Sequence, residues 1–289
     1  MEKWGDKPYH SLDYENKKRF GEKVYKISLA GGTTCPNRDG TLGTRGCCFC
    51  SGSGSGDFAA TKGSITEQIE EAIARVSRYK NAGHHFTAYF QSFTATYAPI
   101  ETLRAAWEEA MTHESVVTLA IATRPDCLGD DVLSLLADCC RKMPVTVELG
   151  LQTIHPDTIR YIRRGYPNSV YETAVKNLKN IGVNVVTHVI AGLPGETKEN
   201  FIDTVRYVAD IGSDGIKLQL LHVLKGTDLA LDYENKMFRT LTPDEYLDYI
   251  TEALSILPPD MVIHRVTGDG PKDLLIAPLW SCLLYTSDA

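Results

Sequence analysis

The chain has 289 residues, 43% hydrophobic and 23% charged, proportions that predict one large or two small soluble globular domains. The formal net charge of −7 excludes a broadly basic nucleic-acid-binding surface, although it leaves room for a local basic patch. No stretch is apolar enough for a membrane span, and the N-terminus lacks the apolar core of a signal peptide. The sequence therefore predicts a cytoplasmic protein without membrane contact.

Strands and helices alternate along the chain. Six runs rich in apolar and β-branched residues are predicted as strands: 23–30, 86–93, 116–124, 145–152, 183–193 and 215–223. Helices are predicted between and after them: 64–80, 101–112, 130–143, 157–164, 170–181, 197–212 and 242–257. Residues 261–268 form a further candidate strand. Repeated strand–helix units predict a parallel sheet covered by helices, either doubly wound or a partial barrel.

We divide the chain into four parts on this pattern. Residues 1–22 are an N-terminal extension, 23–225 the barrel, and 226–280 a C-terminal extension of helix and strand. Residues 281–289 are expected to be an artefactual tail that replaces a longer helical C-terminus.

Three cysteines in the loop after the first strand can converge on one metal centre. Cys47 and Cys50 form a C-x-x-C pair, and Cys35 reaches them across a turn-rich loop. With no fourth cysteine close by, a [4Fe–4S] cluster held by these three thiolates would keep one iron open. A zinc site is the alternative, but structural zinc usually has four protein ligands. A set with Cys48 in place of Cys47 is also open.

This cysteine spacing, with Phe49 before the last cysteine, resembles the radical SAM superfamily with an expanded first gap. The runs at 35–41 and 46–51 are similar to the branch that includes the elongator catalytic subunit, and within it to the bacterial YhcC/YtqA type. Arg45 departs from that pattern by replacing a glycine. The resemblance spans residues 4–280 and implies a partial (β/α)6 barrel of the TIM type.

Later motifs of the chain agree with the same resemblance. They are the runs YFQS at 89–92, ELGLQ at 148–152, RRGY at 163–166 and GLPGE at 192–196. The resemblance implies that Cys35, Cys47 and Cys50 ligate the cluster. It implies these contacts to S-adenosylmethionine (SAM): Phe49, Gln91, Ser92, Glu148, Gln152, Gly192, Pro194 and Gly195. No catalytic residue is assigned.

Several of these polar residues have a structural alternative. Glu148 and Gln152 alternate with apolar residues, so they share one side of their strand, but a buried structural network would also explain them. Lys217 and Gln219 alternate in the same way and are candidates to line the cavity. Arg160, Arg163 and Arg164 are expected on a solvated helix face, with phosphate binding as the alternative.

The resemblance implies reductive cleavage of SAM at the [4Fe–4S] cluster to a 5′-deoxyadenosyl radical. It suggests tRNA as the substrate, through modification of a wobble uridine, and an electron donor such as flavodoxin or ferredoxin. A small-molecule or peptide substrate is the alternative. A non-catalytic iron–sulfur or zinc protein is the competing class of function.

Overall fold

The computed structural model describes residues 4–54, 56, 59, 63–80, 82–268 and 270–282. Its main feature is a sheet of seven parallel strands in the order β1-β2-β3-β4-β5-β6-β8. The strands, with the short β7 and β9 of a separate antiparallel pair, are β1 Tyr25–Leu29, β2 Phe86–Phe90, β3 Val116–Thr123, β4 Val145–Gln152, β5 Asn184–Ala191, β6 Gly215–Leu220, β7 Val223–Leu224, β8 Val262–Arg265 and β9 Leu275–Ala277. The sheet curls into a half-barrel, which confirms the predicted fold class.

Nine α-helices lie within the described residues. They are α1 Leu12–Phe20, α2 Ile65–Tyr79, α3 Ile100–Thr112, α4 Asp130–Cys140, α5 Pro156–Tyr161, α6 Asn168–Asn180, α7 Lys198–Asp210, α8 Asp228–Glu234 and α9 Pro243–Ile256. Three of them, α2, α7 and α9, begin with complete capping boxes, in which a Ser or Thr and the residue three positions later satisfy each other's backbone N–H groups. No helix in these ranges has the length and apolar character that a membrane crossing requires.

Alternation along the strands separates an apolar layer from a polar cavity. In β4, Val147, Leu149 and Leu151 are fully buried in the main hydrophobic core between sheet and helices. The intervening Glu148 and Gln152 face the cavity on the concave side. The period of two predicted for this strand is therefore confirmed, and it makes the concave side the polar one.

The N-terminal segment covers one edge of the sheet, the strand β8. β8 comes from the region assigned to the C-terminal extension and pairs in parallel with β6, so the sheet gains a seventh strand. The free side of β8 is covered by the N-terminal segment, where Ile263 donates its N–H to the carbonyl of His10 at 2.7 Å.

The predicted division at 22/23 and 225/226 stays a prediction. Residues 283–289 of the expected tail lie outside the described residues.

Candidate active site

A cavity of about 620 Å³ opens on the concave side of the half-barrel. Every strand of the main sheet contributes lining residues at positions two apart or at its carboxyl end, where parallel sheets place their ligands. The lining includes all three predicted cluster cysteines, Cys35, Cys47 and Cys50, which the loop after β1 brings to this end of the sheet.

Two side chains of the cysteine loop hold its path. The Asn37 amide donates to the carbonyl of Arg163 at 2.7 Å and to the Cys47 sulfur at 3.5 Å. The Arg38 guanidinium donates to the carbonyls of Cys50 and Ser51 at 3.2 and 2.6 Å. The first half of the loop is thus hydrogen-bonded to its second half and to the turn after α5.

Gly46 is needed for this loop to close. Its φ is +74°, in the left-handed region, and a Cβ at this position would lie 2.9 Å from Nε of Arg38. The Gly46 carbonyl accepts a 2.9 Å hydrogen bond from Arg163, whose guanidinium also pairs with Asp228. Any side chain at position 46 would therefore displace Arg38 from Cys50.

Cys47 and Cys48 have opposite environments although they are adjacent. A hydrogen bond from the Cys50 thiol, together with the charges of Arg124 and Arg163, lowers the pKa of Cys47 to about 6 in spite of burial. Burial raises the pKa of Cys48 to about 12, and its side chain packs in an apolar cluster with Ile162. Cys47 lines the cavity and Cys48 does not, so the alternative set with Cys48 is disfavoured.

Zinc and an iron–sulfur cluster require different arrangements of the three cysteine thiolates. Within the described parts of the chain, no three His, Cys, Asp or Glu side chains are grouped as ligands of a single metal ion. Zinc holds its thiolates at about 2.3 Å from one point, whereas the thiolates of an iron–sulfur cluster bind different irons. Three cysteines around one end of a cavity, beside the cations Arg38 and Arg124, therefore fit a cluster better than zinc.

The predicted SAM contacts divide into two groups. Phe49, Gln91, Glu148 and Gln152 line the cavity. Ser92 is buried and is absent from the lining of the described cavity, and its hydroxyl has no hydrogen-bond partner among the described residues. A buried hydroxyl without a partner is costly, and the role of Ser92 toward SAM stays a prediction.

The three predicted contacts of the GLPGE turn lie elsewhere. Gly192, Pro194 and Gly195 follow β5 and are absent from the lining of the described cavity. The φ of Gly192 is +84°, and a Cβ there would lie 3.0 Å from the Leu241 side chain, so this glycine admits a close packing contact. Their role toward SAM stays a prediction.

Glu148 is the centre of a buried hydrogen-bond network. Its carboxylate accepts from Tyr89 Oη at 2.6 Å and from His188 Nε2 at 2.9 Å. It also accepts from the ammonium groups of Lys26 and Lys217. Burial alone would raise the pKa of Glu148, but the charges of Lys217 and Lys26 and the contact with His188 hold it well below its usual range.

The RRGY run has a structural role that the sequence did not predict. Arg164 is only 2% exposed and donates to the carbonyls of Leu151, Thr153 and Tyr166 at 2.7–3.1 Å. The expectation of a solvated helix face is wrong for Arg164, because α5 ends at Tyr161 and the chain then turns back under β4.

Sequence reasoning also missed four basic residues that line the cavity, namely Lys26, Arg38, Arg124 and Arg265. The alternation that identified Lys217 and Gln219 would have identified Lys26, because it is two residues from Ser28 in the first strand and both line the cavity. No local signal identifies Arg124, which stacks over the Tyr166 ring at 5.0 Å and pairs with Asp126.

This half-barrel, with its cysteine loop after the first strand, defines a class of protein. Two family models match the chain: the Radical SAM superfamily over residues 21–208 and the Radical_SAM C-terminal domain over residues 213–284. The chain belongs to the radical SAM superfamily and is an enzyme of that class. The family works with a [4Fe–4S] cluster and SAM.

Among known proteins, the chain is similar to YtqA of Bacillus subtilis, an uncharacterized protein, with 43% identity over 96% of this chain and 86% of that protein. It is 37% identical to YhcC of Escherichia coli over 91% of this chain and 84% of that protein. A tRNA uridine(34) acetyltransferase of Methanocaldococcus jannaschii is 27% identical over 55% of this chain and 30% of that protein.

One solved structure supports the fold. The archaeal Elp3 of Methanocaldococcus infernus matches with a TM-score of 0.66 and 20% identity, over 88% of this chain. The chain spans 58% of the length of that protein. These comparisons confirm the predicted branch of the superfamily and the barrel.

Proposed function

We propose that Cys35, Cys47 and Cys50 hold a [4Fe–4S] cluster at one end of the cavity and that SAM binds beside it. When bound, the two groups supply a one-electron cleavage of the sulfonium that ends in removal of a hydrogen atom from a substrate. The observation that carries this proposal is the placement of the three cysteines around a cavity of about 620 Å³ in a radical SAM fold.

The chain's own residues would prepare this site. Asn37 orients the Cys47 sulfur, and Arg163 fixes the loop on which it stands. Gln91 and Gln152 present amide groups to the cavity, and Ser92, next to Gln91 in the chain, has a hydroxyl without a partner among the described residues. These groups can donate to and accept from the polar end of SAM.

Anaerobic reconstitution with iron and sulfide tests this assignment. We expect a brown protein that releases 5′-deoxyadenosine from SAM after reduction with dithionite. Reduced flavodoxin or ferredoxin is the proposed donor in place of dithionite. A colourless protein that binds zinc, or a cluster without SAM cleavage, would instead support a non-catalytic metal protein.

We propose tRNA as the substrate, with a wobble uridine as the modified nucleoside. The support is the similarity to the tRNA uridine(34) acetyltransferase and to Elp3. The reconstituted protein should change the nucleoside profile of bulk tRNA in mass spectrometry, and the Cys50→Ala variant should not. An unchanged profile with intact SAM cleavage would point to the alternative, a small molecule or peptide.

A small-molecule substrate has one observation in its favour. The basic side chains of Lys26, Lys217 and Arg265 line the cavity, whereas the uracil ring of uridine is neutral.

A further inference from the structure

One part of the cavity lining places basic side chains around a single carboxylate. We call this the cavity floor, and its residues are Lys26, Tyr89, Glu148, His188, Lys217 and Arg265. The side chains of Lys26, Lys217 and Glu148 are 21%, 7% and 0% exposed, so water screens these charges poorly. Among the described floor residues, three basic side chains therefore face a single acidic one.

Arg265 is the floor cation that has the fewest partners. Its guanidinium donates to the Gln219 side chain, which is neutral. Its Nε is buried and has no acceptor among the residues that the structure describes. Both lysines reach Glu148, but no such contact links Arg265 to that carboxylate in the described network. Arg265 is half-buried, its shielded Nε lacks an acceptor among the described residues, and its planar fork matches an oxyanion.

Neighbouring groups respond to the same excess of positive charge. Burial, to which the charges of Lys26 and Arg265 add, lowers the pKa of Lys217 well below its usual range in spite of the Glu148 contact. Burial and the charge of Lys217 lower the pKa of His188 to about 4, so this imidazole is neutral at pH 7. A second negative charge on the floor would raise both of these pKa values.

We propose that the cavity floor binds the carboxylate or phosphate group of a small molecule, with Arg265 as its main partner and Lys217 and Lys26 beside it. The role of this molecule as the compound that gives up a hydrogen atom rests on the proposed function. The anion preference rests on the floor geometry alone.

In the strand order of the sheet, Arg265 is far from the cysteine loop. It lies on the edge strand β8, whereas the loop follows β1 at the opposite edge. The side chains of Lys217 and Glu148 are 7% and 0% exposed, so a phosphate of a nucleic acid chain would have to reach buried groups. The burial of Lys217 and Glu148 therefore favours a small molecule.

Calorimetric titration of the reconstituted protein with sodium phosphate, and separately with sodium acetate, tests this site at constant ionic strength. We expect saturable binding of at least one anion. Arg265→Gln keeps an N–H donor for Gln219 but removes the charge, and should weaken binding by about tenfold or more. Arg239→Gln is the matched control, because Arg239 pairs with Glu245 on the surface, and should bind as the wild type does. If Arg265→Gln does not fold, as judged by circular dichroism, Lys26→Met takes its place.

Several outcomes would overturn the proposal: no saturable binding of either anion, or equal binding by wild type and Arg265→Gln. SAM cleavage by the wild type is measured in parallel. Cleavage without anion binding contradicts the floor site alone, and anion binding without cleavage contradicts the proposed function alone.

Discussion

At the scale of single residues, Glu148 organises the cavity. Its four donors come from β1, β2, β5 and β6, at sequence separations of 122, 59, 40 and 69 residues. The sequence predicted that Glu148 faces the cavity side of its strand, because alternation is a local property. It did not predict the donors, because their convergence depends on the curl of the whole sheet.

Removing the charge of Glu148 should destabilise the protein strongly. In Glu148→Gln, Lys26 and Lys217 lose their shared counter-charge, and breaking a buried pair in this way costs about 3–5 kcal/mol. The free energy of unfolding in urea at pH 7 measures this loss. The control is Glu172→Gln, which removes a surface acceptor of Tyr207 and should change stability by about 0.5 kcal/mol or less. Equal losses in the two variants would contradict the network.

The same carboxylate predicts a dependence on pH. The pKa of Glu148 is lower in the folded protein than in the unfolded chain, so its contribution is present above the usual value of 4.5 and is lost as the pH falls through the folded pKa. The stability difference between wild type and Glu148→Gln should therefore shrink from pH 7 to pH 3. A difference that grows on acidification would show that the folded-state pKa is raised instead.

At the scale of elements, the turn after α5 joins the cysteine loop to the end of β4. Arg163 donates to the Gly46 carbonyl, and Arg164 donates to the carbonyls of Leu151 and Thr153 at the end of β4. The strands β2 to β6 were predicted from apolar runs, with β4 matching its predicted bounds. The burial of Arg164 was not predicted, because a charged residue after a helical pattern gives no sign that backbone carbonyls surround it.

Arg164→Met should therefore cost stability, although it leaves the cavity cysteines in place. Three carbonyls would lose their donor, at about 1–3 kcal/mol for each buried unsatisfied group, so we expect a loss of about 3 kcal/mol or more. Urea denaturation measures it. Arg160→Met is the neighbouring control, since Arg160 pairs with Asp157 on the surface, and it should stay within about 1 kcal/mol of wild type. Similar values for the two variants would mean that Arg164 is replaceable.

At the scale of the whole molecule, the sheet separates the main apolar core from the candidate active site. The main apolar core lies between sheet and helices and contains none of the three cluster cysteines. The loop that carries them packs instead on a smaller apolar cluster with Cys48 and Leu193. The half-barrel was predicted from repeated strand–helix units, but the attachment of β8 was not, since β7 and the helices α8 and α9 separate it from β6.

This separation predicts that removal of the cluster leaves the fold intact. After chelation of iron, the far-ultraviolet circular dichroism and the cooperativity of unfolding should be preserved, because the apolar core does not depend on the cluster. Limited proteolysis should cut first in the cysteine loop. A chain that loses its secondary structure on chelation would contradict the separation.

The central claim is that Cys35, Cys47 and Cys50, and not Cys48, hold the cluster. The most direct measurement is the iron and sulfide content of single alanine variants after identical anaerobic reconstitution. We predict that Cys35→Ala, Cys47→Ala and Cys50→Ala lose most of the bound iron and that Cys48→Ala keeps it, because Cys48 is buried away from the cavity. Iron loss in Cys48→Ala equal to that in Cys47→Ala, or a full cluster in Cys47→Ala, would contradict the account.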